Sequence, residues 1–337
     1  MKRLLILLAL LLTACSQTIP VENAQIISRI DAATESGLLY LAANYNEYQY
    51  NDEYLTFVYG GESLECPLPT PCNVTYRLLD AYFDVYFLEE VTDTTLIQNQ
   101  VDDAHAILSS LAKKWEAETI YNTKKSQVQG GIALDTYCIL GFLENNHNMA
   151  EVVKSYVDVA DWMEPNAFQT DIWRNVADES WCARLFIKTD IDKQLTKAVI
   201  YRLVDDTTAF KNHPDISDMD KLSVIYHMLY VLEDWERKYD DTTFKQEKLG
   251  YSDFISYFSQ KNLQGNSLMT GNLLDVMVYS NYDNPETMKE LTIKVLGNQR
   301  PEGHWRMTAE AGDNYVQVFT TFRALIGLNQ YKQYLLK

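Results

Sequence analysis

From Val21 onward, apolar residues recur at three- and four-residue spacing almost to the end of this 337-residue chain. That period predicts amphipathic helices. It places them at about 21–45, 73–91, 95–119, 126–145, 149–163, 172–188, 192–209, 217–238, 245–262, 266–281, 285–298 and 314–333. The breakers agree with these bounds. Pro67, Pro69, Pro71, Pro165, Pro214 and Pro301 all fall between segments, where a residue without an N–H does no harm. Pro285 stands at a first helical position behind Asn284, which can cap it, and Asp215 and Ser217 open the eighth segment in the same way. Thirteen Gly and 8 Pro against 23 Tyr and 12 Phe exclude a disordered or turn-rich β composition. The expected fold is all-α. Short connections make consecutive helices antiparallel neighbours, so twelve helices form about six hairpins. Two connections are long and read as loops. Residues 46–72 hold a run of tyrosines and then Cys66-Pro-Leu-Pro-Thr-Pro-Cys72; residues 299–313 hold Gln-Arg-Pro-Glu-Gly-His-Trp.

A weak internal repeat marks the even-numbered helices. Leu79-Asp80-Ala81-Tyr82, Leu134-Asp135-Thr136-Tyr137 and Asp178-Glu179-Ser180-Trp181 each place a large aromatic two or three residues after an acid. Leu274-Asp275-Val276-Met277 keeps the acid and loses the ring. The repeat predicts equivalent positions for these helices, and it sets Cys138 and Cys182 at matching heights on neighbours.

The first residues carry an address. Lys2 and Arg3 precede the apolar run Leu4–Leu12, which is too short to span a bilayer. Leu12-Thr13-Ala14-Cys15 resembles the lipobox of prokaryotic lipoproteins. The resemblance implies that residues 1–14 are a signal peptide and that Cys15 carries lipid. Residues 15–20 would then be a tether, with a single domain over 21–337, and the chain would be held outside the cytoplasm on the cell membrane or outer membrane. Formal net charge is −18, and it becomes −20 without Lys2 and Arg3. That excludes a nucleic-acid partner and leaves the lipid, not the acidic surface, to hold the membrane. With Cys15 lipidated, four cysteines remain, and an oxidising compartment favours two disulfides: Cys66 with Cys72 as a local staple, and Cys138 with Cys182. No CxxC or HExxH pair is present, so neither a metal nor another cofactor is expected.

Leu296-Gly297-Asn298-Gln299-Arg300-Pro301-Glu302-Gly303-His304-Trp305 contains Gln-x-x-x-Gly-x-Trp between two helices. It resembles the QW repeat of the terpenoid cyclase and protein prenyltransferase superfamily. The resemblance implies an (α/α)6 toroid, with six inner helices around a cavity and six outer ones. The motif itself reads as structural: the glycine permits a tight turn, the Gln amide satisfies backbone groups at a helix end, and the indole packs over it. His304 is expected to be exposed, and Trp235 to pack in the core. The superfamily's catalytic residues are not matched. Asp215-Ile-Ser-Asp218-Met-Asp220 has the wrong spacing for its acidic motif and reads as a helix start.

The function expected first is therefore a ligand-binding or scaffold protein of the cell envelope, with a glycan or envelope protein as partner. The alternative is a glycan-active enzyme, a glycoside hydrolase or polysaccharide lyase. Asp80, Asp135, Asp178 and Glu179 are then the candidate acids, because paired carboxylates can protonate a leaving oxygen and activate a nucleophile. Tyr82, Tyr137, Trp173 and Trp181 are candidate stacking rings; Arg77, Arg174 and His227 would neutralise a uronate or act as base, with Tyr226 beside them. Terpenoid or prenyl chemistry ranks last.

Overall fold

The computed structural model describes residues 20–44, 48–50, 54–59, 62–67, 83–118, 132–157, 172–259, 266–307 and 314–337. Residues 1–19 lie outside it, and with them the expected signal peptide, Cys15 and most of the expected tether. The helical expectation holds. In chain order the helices are α1 (Val21–Asn44), α2 (83–89), α3 (Gln98–Glu118, after a 3-10 turn at Thr95–Ile97), α4 (Ile132–Leu143), α5 (His147–Val157) and α6 (Ile172–Thr189). They continue as α7 (Lys193–Asn212), α8 (Asp218–Tyr239), α9 (Lys245–Ser259), α10 (Ser267–Tyr279), α11 (Pro285–Gly297) and α12 (Asn314–Leu336). The caps follow the sequence. Asn284 accepts from the Thr287 amide with Pro285 at the first turn, and Ser217 accepts from the Asp220 amide.

The tyrosine-rich connection is not a plain loop. Strands β1 (Tyr48–Tyr50), β2 (Tyr54–Tyr59) and β3 (Glu62–Pro67) form an antiparallel sheet in that order. Tyr48 faces Phe57 in the first pair, and Leu55 faces Cys66 in the second. The local sequence contains the cause. Tyr54-Leu-Thr-Phe-Val-Tyr59 is aromatic and β-branched, and Gly60-Gly61 between β2 and β3 is a hairpin signal.

Four turns between successive helices are built alike. Asn145, Asp190, Asp240 and Asn281 follow α4, α6, α8 and α10, each with φ between 48° and 54°. Asn and Asp tolerate the left-handed region better than other side-chain-bearing residues. In two of these turns the next residue donates back five positions, Asn146 to Gly141 O at 2.8 Å and Tyr282 to Met277 O at 3.1 Å, which satisfies the helix's last carbonyls. The connections are only three to five residues long, so each even helix folds straight back onto the next odd one.

Packing is of two kinds. From α4 onward each even helix packs on its odd neighbours, and these even helices also pack on one another in sequence: α4 on α6, α6 on α8, α8 on α10, α10 on α12. The α10–α12 contact is backbone to backbone. A Cβ on Gly271 would lie 2.6 Å from the Arg323 carbonyl oxygen, and one on Gly327 would lie 2.4 Å from the Gly271 oxygen. The α4–α6 contact carries the disulfide Cys138–Cys182, with Cα atoms 4.8 Å apart. Cys66 lies on β3, and its expected partner Cys72 lies outside the described residues.

The Gln299–Trp305 turn works as a clamp between α11 and α1. The Gln299 amide donates to Ala33 O at 2.8 Å and Gly303 O at 3.0 Å. The fully buried Trp305 indole donates to Val295 O at 2.7 Å. Gly303 sits at φ +98°, with the Ser36 carbonyl where a Cβ would stand. His304, expected on the surface, is 4% exposed. The turn folds inward against α1, and the imidazole stacks on Tyr40 with ring centroids 4.8 Å apart. Trp235 is fully buried, as expected.

Candidate functional site

The even-numbered helices bring a polar and aromatic cluster together in their midst. On α6, Trp181 and Arg184 lie three apart; on α8, His227, Tyr230 and Asp234 follow at three and four; on α10, Asp275 and Tyr279 are four apart. These spacings put each set on one helix face.

Arg184 is the centre. Its Nε donates to Asp234 at 2.6 Å, and the Tyr279 hydroxyl donates to the other carboxylate oxygen. The guanidinium lies 4.5 Å from the Phe142 ring, 4.6 Å from Trp181 and 4.8 Å from Tyr230. Burial is the largest single influence and lowers the pKa, but Asp234, Tyr279 and Tyr230 together outweigh it and raise it. A second buried pair crosses from α8 to α10, where the Tyr230 hydroxyl donates to Asp275. Burial pushes the Asp275 carboxyl up to about 6 against the pull of Tyr230, Arg323 and Arg184. The Tyr230 hydroxyl is raised well above its ordinary value by burial and by the Asp275 charge. On the far side Arg323 of α12 meets the fully buried Asp84 of α2 at 2.7 Å.

His227 differs from these. Among the described residues its imidazole has no hydrogen-bond partner, and rings flank it: Tyr226 at 4.1 Å between centroids and Trp181 at 6.4 Å. It is partly accessible. Yet burial, with Arg323 and Arg184 nearby, lowers its pKa to about 3. The partly accessible imidazole and the rings that flank it form the His227 recess. Phe87 and Phe142 join Trp181 there, at 5.8 and 5.7 Å.

Of the residues singled out in the sequence, Trp181 and His227 meet in this recess. Glu179, two residues before Trp181, is half-buried and already engaged, and Tyr137 is buried beside the disulfide and engaged as well. Asp80, Arg77 and Tyr82 lie outside the described residues. Asp135 falls on α4, and Trp173, Arg174 and Asp178 on α6, with their side chains outside the described set. Sequence reasoning missed Arg184, Asp234, Tyr230, Tyr279, Arg323 and Asp84. A signal was there: Arg184 in Trp-Cys-Ala-Arg-Leu-Phe-Ile and Arg323 in Thr-Thr-Phe-Arg-Ala-Leu-Ile are single charges inside apolar runs, which demand buried partners. Among the described residues, no group of three or more His, Cys, Asp or Glu side chains is arranged to hold a metal, and no helix is long and apolar enough to cross a membrane.

No protein-family model matches the chain, and no curated protein is detectably similar to it in sequence.

Proposed function

We propose that the protein is a lipid-anchored, extracytoplasmic ligand-binding protein whose helices close into an (α/α)6 toroid, and that its ligand is a neutral glycan bound at the His227 recess. The observation that carries the binding reading is that recess: an unpaired, neutral imidazole set against Trp181 and Tyr226, accessible but desolvated. Rings that stack and a neutral donor–acceptor suit hydroxyl-rich sugars. Charge narrows the class. Arg184 and Arg323 both have carboxylate partners, so neither offers a spare cation to a uronate. The closed toroid is supported by the even-on-even packing, by the four matching turns, and by the Asp84–Arg323 pair, which joins the first even helix to the last.

The anchor and the fold together suggest an orientation. Ser16–Pro20 can span at most about 18 Å. The 24 residues of α1 are about 36 Å long. The tether enters at the α1 N-terminus, the end that also carries the short turns.

Two experiments test this. Metabolic labelling with a palmitate analogue should mark the wild type and not Cys15→Ser. A glycan array followed by titration calorimetry should find a neutral glycan whose affinity falls at least tenfold in Trp181→Ala and in His227→Gln. Binding unaltered in both variants would remove the recess as the site. A second reading, glycoside hydrolysis, is favoured by one observation, the Asp275 carboxyl that holds its proton to about pH 6. Turnover of the bound glycan, abolished by Asp275→Asn, would establish it.

A further inference from the structure

A second site lies on the turn at the C-terminal end of α1, remote in sequence from the recess. Arg300, His304 and Arg306 gather there. The Arg300 amide donates to His304 O at 2.8 Å, and Gly303, at φ +98°, lets the chain double back. Arg306 Nε donates to His304 Nε2 at 3.4 Å. Nε2 must therefore carry the lone pair, so the ring proton sits on Nδ1. Among the described residues that buried Nδ1–H has no acceptor, and neither has the buried Nε–H of Arg300. Among the described residues neither arginine belongs to an ion pair, and neither does Arg29, whereas Arg184, Arg202, Arg237 and Arg323 all do.

The charged and titratable neighbours are few. Tyr40 of α1 stacks on the imidazole and donates its own proton to Gln317 of α12. Glu302 is exposed on the same turn and makes no hydrogen bond. Burial and then the Arg306 guanidinium lower the imidazole pKa; Glu302 opposes them, by more than Arg300 adds. The turn thus presents buried donors with nothing to receive them, an arrangement that costs free energy unless an acceptor arrives. Guanidiniums fit the oxygens of carboxylates and phosphates in particular.

We propose that Arg300, His304 and Arg306 form an oxyanion-binding site that takes a phosphate or carboxylate group of an envelope ligand. It is independent of the neutral-glycan recess and stands or falls without it.

The test uses the whole protein. Inorganic phosphate is titrated at constant ionic strength, with chloride as the control, while the His304 ring signals are followed by NMR. Saturable movement with phosphate and none with chloride is expected. Calorimetry should show affinity at least tenfold weaker in Arg300→Gln/Arg306→Gln, with circular dichroism unchanged. Glycerol phosphate and glucuronate, run as parallel arms, distinguish phosphate from carboxylate as the preferred group. His304 signals that respond equally to chloride, or to neither anion, overturn the proposal even if the double variant does not fold. So does a folded double variant that binds phosphate as tightly as the wild type.

Discussion

Arg184 on α6 and Asp234 on α8 form a buried ion pair at 2.6 Å, with the guanidinium enclosed by aromatic rings. Taking one partner away leaves the other uncompensated. Asp234→Ala should cost about 3–5 kcal/mol, measured by urea denaturation. The double variant Arg184→Met/Asp234→Leu should recover most of that loss, because it removes both charges together. If the double variant is as unstable as the single, the pair is not the source of the cost.

The two perturbed groups of the cluster pull stability in opposite directions with pH. Asp275 has its pKa raised from 3.8 to about 6, so its contribution is full below 3.8 and lost as pH rises through 6. His227 has its pKa lowered from 6.5 to about 3, so its contribution is full above 6.5 and lost as pH falls toward 3. In the wild type the slopes offset each other between pH 4 and 6. Asp275→Asn should lose stability on acidification over that window, and His227→Gln should gain it. Urea midpoints at three pH values read this directly, and parallel slopes in all three proteins would contradict it.

Cys138 and Cys182 close a loop with a sequence separation of 44. Restricting the unfolded chain to that extent stabilises by up to about 4 kcal/mol. Cys138→Ser/Cys182→Ser should therefore melt several degrees lower by calorimetry. An unchanged melting temperature would mean that the bond does not form.

Gly271 and Gly250 both lie inside helices and should respond oppositely to alanine. At Gly271 the new Cβ meets the Arg323 backbone at 2.6 Å, and a loss of about 1–3 kcal/mol is expected. At Gly250 nothing lies within 4 Å, and the better helix former should add about 0.5–1 kcal/mol. Equal effects at the two sites would refute the close approach of α10 and α12.

The helices, the Asn284 cap and the Cys138–Cys182 pairing were legible because each is a local or periodic signal. Asp275 was visible as a member of the acid repeat but was not among the candidate acids, and it is the member that lies in the cluster. Two features were hidden for physical reasons. The sheet at 48–67 alternates with period two, but a tyrosine-rich stretch between strong helices reads as a loop when only helical period is sought. His304 looked exposed because it follows a Pro-Glu-Gly turn; its burial depends on Tyr40, more than 260 positions away in sequence, which no local pattern reports. The Arg184 network was missed because a single charge in an apolar helix names its need for a partner but not the partner.

The backbone contact between Gly271 and Gly327 also limits how the protein can move. Most helix interfaces adjust by side-chain rotamer changes, a soft layer that lets helices slide by an ångström or two. Between α10 and α12 the crossing point has no such layer; carbonyls and α-carbons meet directly. These two helices must travel as one rigid plate. Relative movement of the even helices therefore falls to the α6–α8 and α8–α10 seams, where hydroxyl–carboxylate and guanidinium–carboxylate contacts can be exchanged one at a time.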